Sequence, residues 1–378
     1  MQFRDLGAQY RHLKTDIDAG IQEVIASNSF ILGKKVAELE GKLAAYVGRK
    51  HCVACANGTD ALQLVLMAWG IGVGDAVFTS DFTYFASAGT SSVIGATPVF
   101  VDIDRRTFNI DPNDLEKQIQ KVIAEGKLKP RAIIPVDLFG QPADYNRIIP
   151  IVEKYGLKIL EDGAQGFGGS INSKKVCSFG EASTTSFFPA KPLGCYGDGG
   201  AIFTDDDVMD ETLRSLRAQG RSPEDKYDNR AIGMNSRLDT LQAAILLPKF
   251  KALVDYELDA VNKVADWYTE RLAGKVVTPL VPDGFYSSWA QYTIMLESKE
   301  QRDALQKSLK VAGIPSMVYY PRGLHQQTAY KWMNLDNTDY QNTVYATEHV
   351  LSLPMHPYLD AATVDSICKA VLNKQHIR

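Results

Sequence analysis

Cysteine and histidine are scarce in this chain, and neither is spaced as a metal site requires. The sequence contains 5 cysteines and 6 histidines among 378 residues. An odd number of cysteines without framework spacing predicts free thiols rather than disulfides. Cys52 and Cys55 form a CxxC pair, but in a strand-like apolar run a separation of three points their side chains to opposite faces. No two histidines stand at a ligand-like spacing, so we expect no metal ion.

The chain also lacks a strong excess of charge and a long hydrophobic run. Its formal net charge is -4, with 23% charged and 45% hydrophobic residues. This balance gives no indication of a nucleic-acid partner or of an anionic membrane surface. No apolar run is long enough to span a bilayer, and the first residues lack the apolar core of a signal peptide. We therefore expect a cytoplasmic globular protein that binds neither nucleic acid nor membrane.

What the sequence does contain is an alternation of short apolar runs with longer helical patterns. The runs are His51–Cys55, Ala76–Ser80, Pro98–Val101, Ala132–Val136, Lys158–Glu161, Thr184–Phe188 and Ala201–Thr204. Short buried strands that alternate with helices indicate a sheet covered by helices on both faces. We therefore predict an α/β fold with a mostly parallel seven-stranded sheet.

The pattern changes near Lys249. A long helical stretch over 250–272 is followed by apolar runs and helical patterns that predict a smaller α+β domain. Its predicted elements are a strand at 291–296, a helix at 301–311, a strand at 316–320, a further helix, a strand at 351–353 and a last helix. A chain of 378 residues is long enough for two domains. We expect a large domain at 1–249 and a small domain at 250–378.

Lys191 lies between prolines and glycines, with no helical pattern around it. An amine held in such a setting forms Schiff bases with carbonyl groups, whereas a lone lysine near glycines is more often an exposed loop cation. Asp162 follows the run that begins at Lys158, at the carboxyl end of a predicted strand. A carboxylate there either caps a helix or pairs with a protonated pyridine nitrogen. Together the two residues favour a site for pyridoxal phosphate.

A turn that suits a phosphate group follows the first predicted strand. Asn57-Gly58-Thr59-Asp60 leads into a helix that is apolar nearly all round and therefore buried. A helix N-terminus with a glycine and a hydroxyl offers free amides and a favourable dipole to a phosphate. In the simpler alternative, Thr59 or Asp60 only caps the helix. The segment is neither a P-loop nor a GxGxxG, so a dinucleotide fold is disfavoured.

Taken together, these segments resemble the DegT/DnrJ/EryC1/StrS nucleotide-sugar aminotransferases. The matching segments are 31–33, 57–62, 161–165, 186–191, 197–201, 233–239 and 320–321. Within that family, 186–202 and 235–249 resemble the enzymes that aminate C3 of UDP-2-acetamido-2-deoxy-3-oxo-D-glucuronate for bacterial surface polysaccharides such as O-antigen. The chain departs from the family at Gly163, where alanine or cysteine is frequent. It also has Asp137-Leu138-Phe139-Gly140 where His-Leu-Tyr-Gly is frequent.

The resemblance implies a fold-type-I (aspartate aminotransferase-like) homodimer with pyridoxal 5'-phosphate at the subunit interface. It implies that Lys191 is the Schiff-base lysine, that Asp162 pairs with the pyridinium nitrogen and that Gln165 bonds the ring hydroxyl. The other implied cofactor contacts are Gly58, Thr59 and Ser186 to the phosphate, Tyr84 on the ring face, and Asn235 reaching the phosphate of the neighbouring subunit.

Three residues are candidates for contact with the substrate. Arg237 is suited to a uronate carboxylate, because guanidinium pairs with carboxylate through two hydrogen bonds. It could instead form a structural salt bridge at the subunit interface. Tyr320 and His325 follow a predicted strand of the small domain, and they either contact sugar hydroxyls or serve in packing.

The expected function is a transamination in two halves. The cofactor accepts an amino group from L-glutamate and then passes it to the UDP-linked keto-sugar, while Lys191 moves the proton. One alternative is an aminotransferase for another nucleotide keto-sugar, such as a 4-keto-6-deoxy or 3-keto-6-deoxy sugar. A sugar dehydratase of this fold would carry histidine in place of Lys191. The third alternative is a non-enzymatic regulatory protein that binds the cofactor. An additional DNA-binding module would favour it, and this chain has no room for such a module.

Overall fold

In the computed structural model, which describes residues 1–225 and 227–373, seven strands form the central sheet. The described residues form twelve strands in all, and five of them belong to two smaller sheets. In chain order they are β1 (His51–Cys55), β2 (Asp75–Ser80), β3 (Thr97–Val101), β4 (Lys129–Ile134), β5 (Lys158–Asp162), β6 (Ser170–Ile171), β7 (Lys174–Lys175), β8 (Ala182–Ser186), β9 (Gly200–Thr204), β10 (Phe285–Tyr286), β11 (Tyr292–Met295) and β12 (Val350–Leu353). The order in the central sheet is β1-β9-β8-β5-β4-β2-β3. Only β9 runs antiparallel to its neighbours. The predicted mostly parallel sheet is therefore confirmed.

Helices cover both faces of this sheet. In the part of the chain that the structure describes, the α-helices in chain order are α1 (Leu6–Ser27), α2 (Lys34–Val47), α3 (Gly58–Ala68), α4 (Ala86–Val93), α5 (Pro112–Glu125), α6 (Tyr145–Tyr155), α7 (Asp207–Leu216), α8 (Thr240–Ala252), α9 (Leu258–Leu272), α10 (Lys299–Val311), α11 (Gln341–His349) and α12 (Ala361–Val371). Among the described residues, no helix is both long enough and apolar enough to cross a membrane.

Strand β1 shows how alternation divides the core into layers. Val53 and Cys55 pack with α3 and α7 on one face, whereas Cys52 and Ala54 pack with α2 and α8 on the other. Successive side chains of a strand point to opposite faces, so one strand contributes to both layers. The strands are short and apolar because helices bury both of their faces.

A second hydrophobic cluster lies in the last third of the chain. It combines α9, α10 and α12 with the antiparallel pair β11–β12. The predicted long helix begins at Thr240 rather than at 250, and it passes through a π-helical segment at Leu253–Glu257 without a break. The domain division at residue 249 stays a prediction, and residues 374–378 of the predicted small domain lie outside the described residues.

The strand predicted at 316–320 is wrong. Only Met317 bonds to β12, through paired backbone hydrogen bonds with Ser352 of 3.1 and 2.8 Å. After that bridge the chain leaves the edge of β12, and the hydroxyl of Tyr320 contacts Gln165 near the central sheet. A side-chain hydrogen bond to Gln165, which lies just after β5, therefore replaces continued pairing along β12.

Candidate active site

The carboxyl ends of β1, β5 and β8 meet at one edge of the central sheet. Gly200 of β9 pairs with Cys55 on one side and with Ser186 on the other. Asp162 ends β5, which lies beside β8. The turn after β1, the acid that ends β5 and the loop after β8 therefore share this edge, although the sequence separates them widely.

Asp162 is a buried carboxylate held by two hydrogen bonds. Its side chain is only 5% exposed. Oδ2 accepts a hydrogen bond from the hydroxyl of Ser87 at 2.8 Å, and Oδ1 accepts one from the amide of Ala164 at 3.2 Å. Burial raises the pKa of Asp162, while the Ser87 hydrogen bond and the positive charge of Lys191 lower it. The carboxylate thus lies within electrostatic reach of the predicted catalytic lysine.

Lys191 lies in a loop that backbone hydrogen bonds close tightly. Its amide donates to the carbonyl of Phe188 at 2.9 Å, and the amide of Cys195 donates to the carbonyl of Phe187 at 2.8 Å. The Nζ atom forms no hydrogen bond or ion pair with any other residue that the structure describes. Burial lowers the pKa of this amine, and the charge of Asp162 acts against that effect. An unpartnered amine beside a buried acid is available for chemistry.

The turn at the start of α3 leaves two amides free. Asn57 caps the helix, because its Oδ1 accepts a hydrogen bond from the amide of Asp60 at 2.8 Å. The alternative in which Thr59 or Asp60 provides the cap is therefore wrong. Within 1–225 and 227–373, the amides of Gly58 and Thr59 donate to no protein acceptor.

Gly58 is needed because this turn lies directly against the end of β8. A Cβ atom at Gly58 would stand 2.6 Å from the Cβ and 3.1 Å from the Oγ of Ser186. Contact at that distance is not tolerated, so only glycine lets the two segments approach. The free amides and the Ser186 hydroxyl consequently lie close together at a helix N-terminus, where an anion is favoured.

Gln165 connects the site to the last third of the chain. Its Oε1 accepts a hydrogen bond from the amide of Phe139 at 2.9 Å, and its Nε2 donates to the hydroxyl of Tyr320 at 3.1 Å. A carboxamide nitrogen has two N–H groups, so one donor of Gln165 remains. Burial raises the pKa of the Tyr320 phenol, the Gln165 hydrogen bond lowers it, and nearby Tyr84 raises it. The Tyr84 ring is 59% exposed beside this group.

The structure does not bring Asn235 and Arg237 into this group within one subunit. Asn235 is exposed and forms a bridge with Ala218. The adjacent Ser236 is buried, and its hydroxyl accepts a hydrogen bond from the amide of Ala56 at 3.1 Å. Arg237 forms no ion pair or hydrogen bond with any of the described residues. Both predicted roles therefore stay predictions.

His325 lies in a closed polar cluster next to the site. Its Nδ1 is 2.5 Å from Oδ2 of Asp81, its amide donates to Oδ1 of Asp81, and its Nε2 is 2.8 Å from Oδ1 of Asn337. Its ring also stacks on Tyr340 at 4.5 Å between centroids. Both ring nitrogens are engaged, and the geometry favours the packing alternative over a contact with sugar.

Comparison with known proteins decides the family. The model of the DegT/DnrJ/EryC1/StrS aminotransferase family matches residues 11–372. The chain belongs to this family. A relative from Pseudomonas aeruginosa PAO1, named UDP-2-acetamido-2-deoxy-3-oxo-D-glucuronate aminotransferase, is 46% identical over 99% of this chain and 100% of its own length. The predicted family is therefore confirmed.

Solved structures of similar proteins support the fold and the cofactor. One from Brucella abortus is 48% identical, has a TM-score of 0.96 and covers all of both chains. NtdA from Bacillus subtilis was solved with the bound cofactor PMP. It is 28% identical to this chain and has a TM-score of 0.86, and the match covers 95% of this chain and 81% of NtdA. Aminotransferases of this family use pyridoxal phosphate, and the predicted fold type I is confirmed.

Two residues of this aminotransferase site were not found from the sequence. Ser87 contacts Asp162 from a position 75 residues away, and Arg4 bonds the carbonyl of Pro192 from 188 residues away. Ser87 lies in a run of small polar residues on α4 that is buried, which is an unusual pattern for a helix interior. Arg4 lies in a short opening segment with no informative pattern.

No group of three or more His, Cys, Asp or Glu side chains within the described part of the chain is arranged to hold a metal ion. The five cysteines are free and buried. Burial raises the pKa of Cys55 to about 12, so its thiol stays protonated at neutral pH.

Proposed function

We propose that this family member transfers an amino group from L-glutamate to C3 of UDP-2-acetamido-2-deoxy-3-oxo-D-glucuronate, with pyridoxal 5'-phosphate as cofactor. The product would serve the synthesis of bacterial surface polysaccharide such as O-antigen. The substrate is supported by one observation above all, the 46% identity to the P. aeruginosa relative over essentially the full length of both chains. The cytoplasmic location expected from the sequence stays a prediction.

The residues at the sheet edge fit the proposed cofactor. The free amides of Gly58 and Thr59 and the hydroxyl of Ser186 provide donors for a phosphate at the N-terminus of α3. Asp162 is a buried acid suited to a protonated ring nitrogen. The remaining donor of Gln165 suits the ring hydroxyl.

Each of the two central residues would have a distinct task. When bound, the cofactor carries the amino group between the two substrates and withdraws electrons from the carbon that loses a proton. Asp162 would keep the ring nitrogen protonated through charge pairing, which maintains that withdrawal. Lys191 would attach the cofactor and, once released, take up and return the proton at Nζ. A base at neutral pH needs a lowered pKa, and burial lowers the pKa of Lys191.

Substrate contacts and the second subunit belong to the same proposal. Arg237 is an unpaired guanidinium that suits the uronate carboxylate. The hydroxyl of Tyr320 borders the site through Gln165. Large apolar side chains remain exposed at Phe30–Leu32, Tyr84–Phe85 and Phe188. Exposed apolar surface of this kind supports a homodimer interface, across which Asn235 would reach the partner's cofactor phosphate.

The test is a coupled assay of 2-oxoglutarate release from L-glutamate. The acceptors are the UDP-linked 3-keto-uronate and UDP- or dTDP-linked 4-keto-6-deoxy and 3-keto-6-deoxy sugars. We expect the highest kcat/KM with the 3-keto-uronate, and no release from Lys191→Ala. Faster turnover of a 6-deoxy sugar would overturn the substrate but leave the transaminase in place. A regulatory protein would release no 2-oxoglutarate with any acceptor.

A further inference from the structure

Arg4, in the segment that precedes α1, brings a second positive charge to the loop of Lys191. Arg4 is partly buried, and its Nη2 donates to the carbonyl of Pro192 at 3.4 Å. Pro192 is the residue directly after Lys191. The guanidinium therefore contacts the loop of the lysine at the peptide group that follows it.

Two basic side chains, Lys249 and His356, lie near Arg4. Lys249 is 1% exposed, and its Nζ has no hydrogen-bond partner among the described residues. Burial lowers the pKa of Lys249 to about 8, and the charge of Arg4 acts in the same direction. Burial lowers the pKa of His356 to about 4, which keeps its ring neutral at pH 7.

The acids near Arg4 form their hydrogen bonds with other groups, although burial lowers the pKa of Arg4 and the charge of Glu257 raises it. Glu257 accepts hydrogen bonds from Gln9 at 2.8 Å and from the hydroxyl of Tyr358 at 2.6 Å. Asp5 caps α1 through the amide of Ala8 at 2.7 Å. Arg4 forms no ion pair with any carboxylate in the part of the chain that the structure describes, so its charge is not cancelled by a direct partner.

The electrostatic balance at Lys191 has three contributions. Burial lowers the pKa of the amine, the charge of Asp162 raises it, and the charge of Arg4 lowers it. Asp162 alone would favour the charged ammonium, which cannot accept a proton. The positive charge of Arg4 opposes that effect.

We propose that Arg4 is a positioning residue for Lys191: it anchors the carbonyl of Pro192 and places a positive charge at the loop of the lysine, which favours the neutral amine over the ammonium. The consequence for catalysis rests on the proposed function, in which Lys191 accepts a proton. A pKa one unit higher leaves about one tenth as much neutral amine at a pH well below the pKa. Loss of Arg4 therefore reduces the reactive form at neutral pH.

The test measures the amine directly, in full-length protein freed of cofactor. Trace labelling with acetic anhydride across a pH series, followed by peptide mapping, gives the titration curve of Lys191, with the exposed Lys129 as internal reference. We expect the Lys191 curve of Arg4→Gln to move to higher pH and its labelling rate at pH 7 to fall. Arg4→Lys, which keeps the charge, should restore most of the wild-type curve. Arg4→Met keeps the apolar stem and should move the curve as Arg4→Gln does.

Arg11→Gln is the matched control, because Arg11 is an exposed arginine on α1. The titration curve of Lys191 in Arg11→Gln should superimpose on the curve in the wild-type protein. Curves for Arg4→Gln and Arg4→Met that also superimpose on the wild type would overturn the role of Arg4. The proposed function is tested separately by borohydride reduction of wild-type holoenzyme. If the reduced cofactor is attached to Lys191 but the Lys191 titration curves of the Arg4 variants do not move, only the proposed role of Arg4 is rejected. If the cofactor is attached to another lysine, the proposed role of Lys191 is rejected.

Discussion

The hydroxyl of Ser87 donates a hydrogen bond of 2.8 Å to Oδ2 of Asp162, and it thereby joins α4 to the end of β5. Ser87 is 1% exposed and Asp162 is 5% exposed, so the contact lies out of water. A hydrogen bond to the charged form of a buried acid favours that form. Ser87 therefore helps to keep Asp162 ionised where the ring nitrogen of the proposed cofactor would pair with it.

Asp162→Asn should lose much more turnover than cofactor affinity. The amide cannot offset the charge of a protonated ring nitrogen, while the amides of Gly58 and Thr59 that suit the phosphate are unchanged. Removal of one preorganised electrostatic partner costs roughly 10²–10³ in rate. Steady-state kcat and a cofactor titration by fluorescence check the two effects. Near wild-type turnover would place the essential acid elsewhere.

Ser87→Ala should reproduce part of this loss. The carboxylate remains but loses one donor, so its pKa rises and the ionised fraction falls at mildly acidic pH. We expect the acid limb of the kcat profile to move to higher pH, with a kcat at pH 8 close to that of the wild type. Ser87→Thr keeps the hydroxyl and serves as the control. An acid limb that does not move in Ser87→Ala would show that this hydrogen bond has no influence on the titration.

Gly58→Ala should weaken cofactor binding sharply. The added methyl group would stand 2.6 Å from the Cβ of Ser186, so the phosphate turn must move away from the end of β8. Gly41→Ala in α2 is the matched control, since a Cβ there meets no atom within 4 Å. Alanine in an exposed helix position stabilises by roughly 0.5–1 kcal/mol relative to glycine. Equal cofactor affinity in both variants would contradict the close approach of the turn to Ser186.

The central strands were predictable because alternation and burial are local properties of each run. Most of the predicted runs coincide with strands, although β8 ends at Ser186 rather than at 188, and β4 begins at Lys129. Segment 316–320 has the composition of a strand, yet Tyr320 bonds Gln165, 155 positions away. Contacts at such separations depend on the finished fold, so no window of the sequence reveals them.

The departures from the family pattern have physical explanations in the structure. At Gly163, a Cβ would lie 2.7 Å from Sγ of Cys177 and 2.9 Å from Cγ1 of Val176, so this packing requires glycine. Asp137 is fully buried; its Oδ1 accepts hydrogen bonds from the amide of Ala143 at 2.8 Å and from the hydroxyl of Tyr145 at 3.0 Å. Its Oδ2 has no partner among the described residues.

Asp137→Asn should stabilise the protein, and the gain should grow with pH. Burial raises the pKa of Asp137, and the charge of Glu161 raises it further. A carboxyl group whose pKa is higher in the folded state favours folding at low pH, and this contribution is lost as pH rises from the ordinary carboxyl range through the raised pKa. An amide at this position does not titrate, so the stability of the variant does not fall with pH for this reason.

The expected gain is larger at pH 8 than at pH 5, because each unit by which folding raises a carboxyl pKa corresponds to about 1.4 kcal/mol once the pH exceeds the raised pKa. Urea denaturation at pH 5 and pH 8 measures it. Glu161→Gln is the contrasting variant, because both Glu161 oxygens accept backbone amides, from Cys177 at 2.7 Å and Phe179 at 2.8 Å. Glutamine leaves one amide without an acceptor, so this variant should be less stable. A loss of stability in Asp137→Asn at pH 8 would show that Asp137 is ionised in the native protein.

The last prediction concerns the proposed sharing of sites between subunits. Asn235 is exposed and makes no hydrogen bond to Lys191 or Asp162 in its own subunit, as expected if it serves the partner's site. A two-fold dimer shares such surfaces reciprocally. Heterodimers of Lys191→Ala and Asn235→Ala chains would then contain one doubly damaged site and one intact site.

Activity should therefore rise above that of either parent after subunit exchange, towards half the wild-type value for each heterodimer. Each variant must first be shown to be folded and dimeric by circular dichroism and size-exclusion chromatography, and Asn235→Ala must be strongly impaired by itself. Arg11→Gln chains mixed with wild-type chains control for the exchange procedure, because Arg11 lies on the exposed side of α1. If Asn235 instead serves its own site, every heterodimer carries one lesion per site, and mixing adds nothing to the average of the parents.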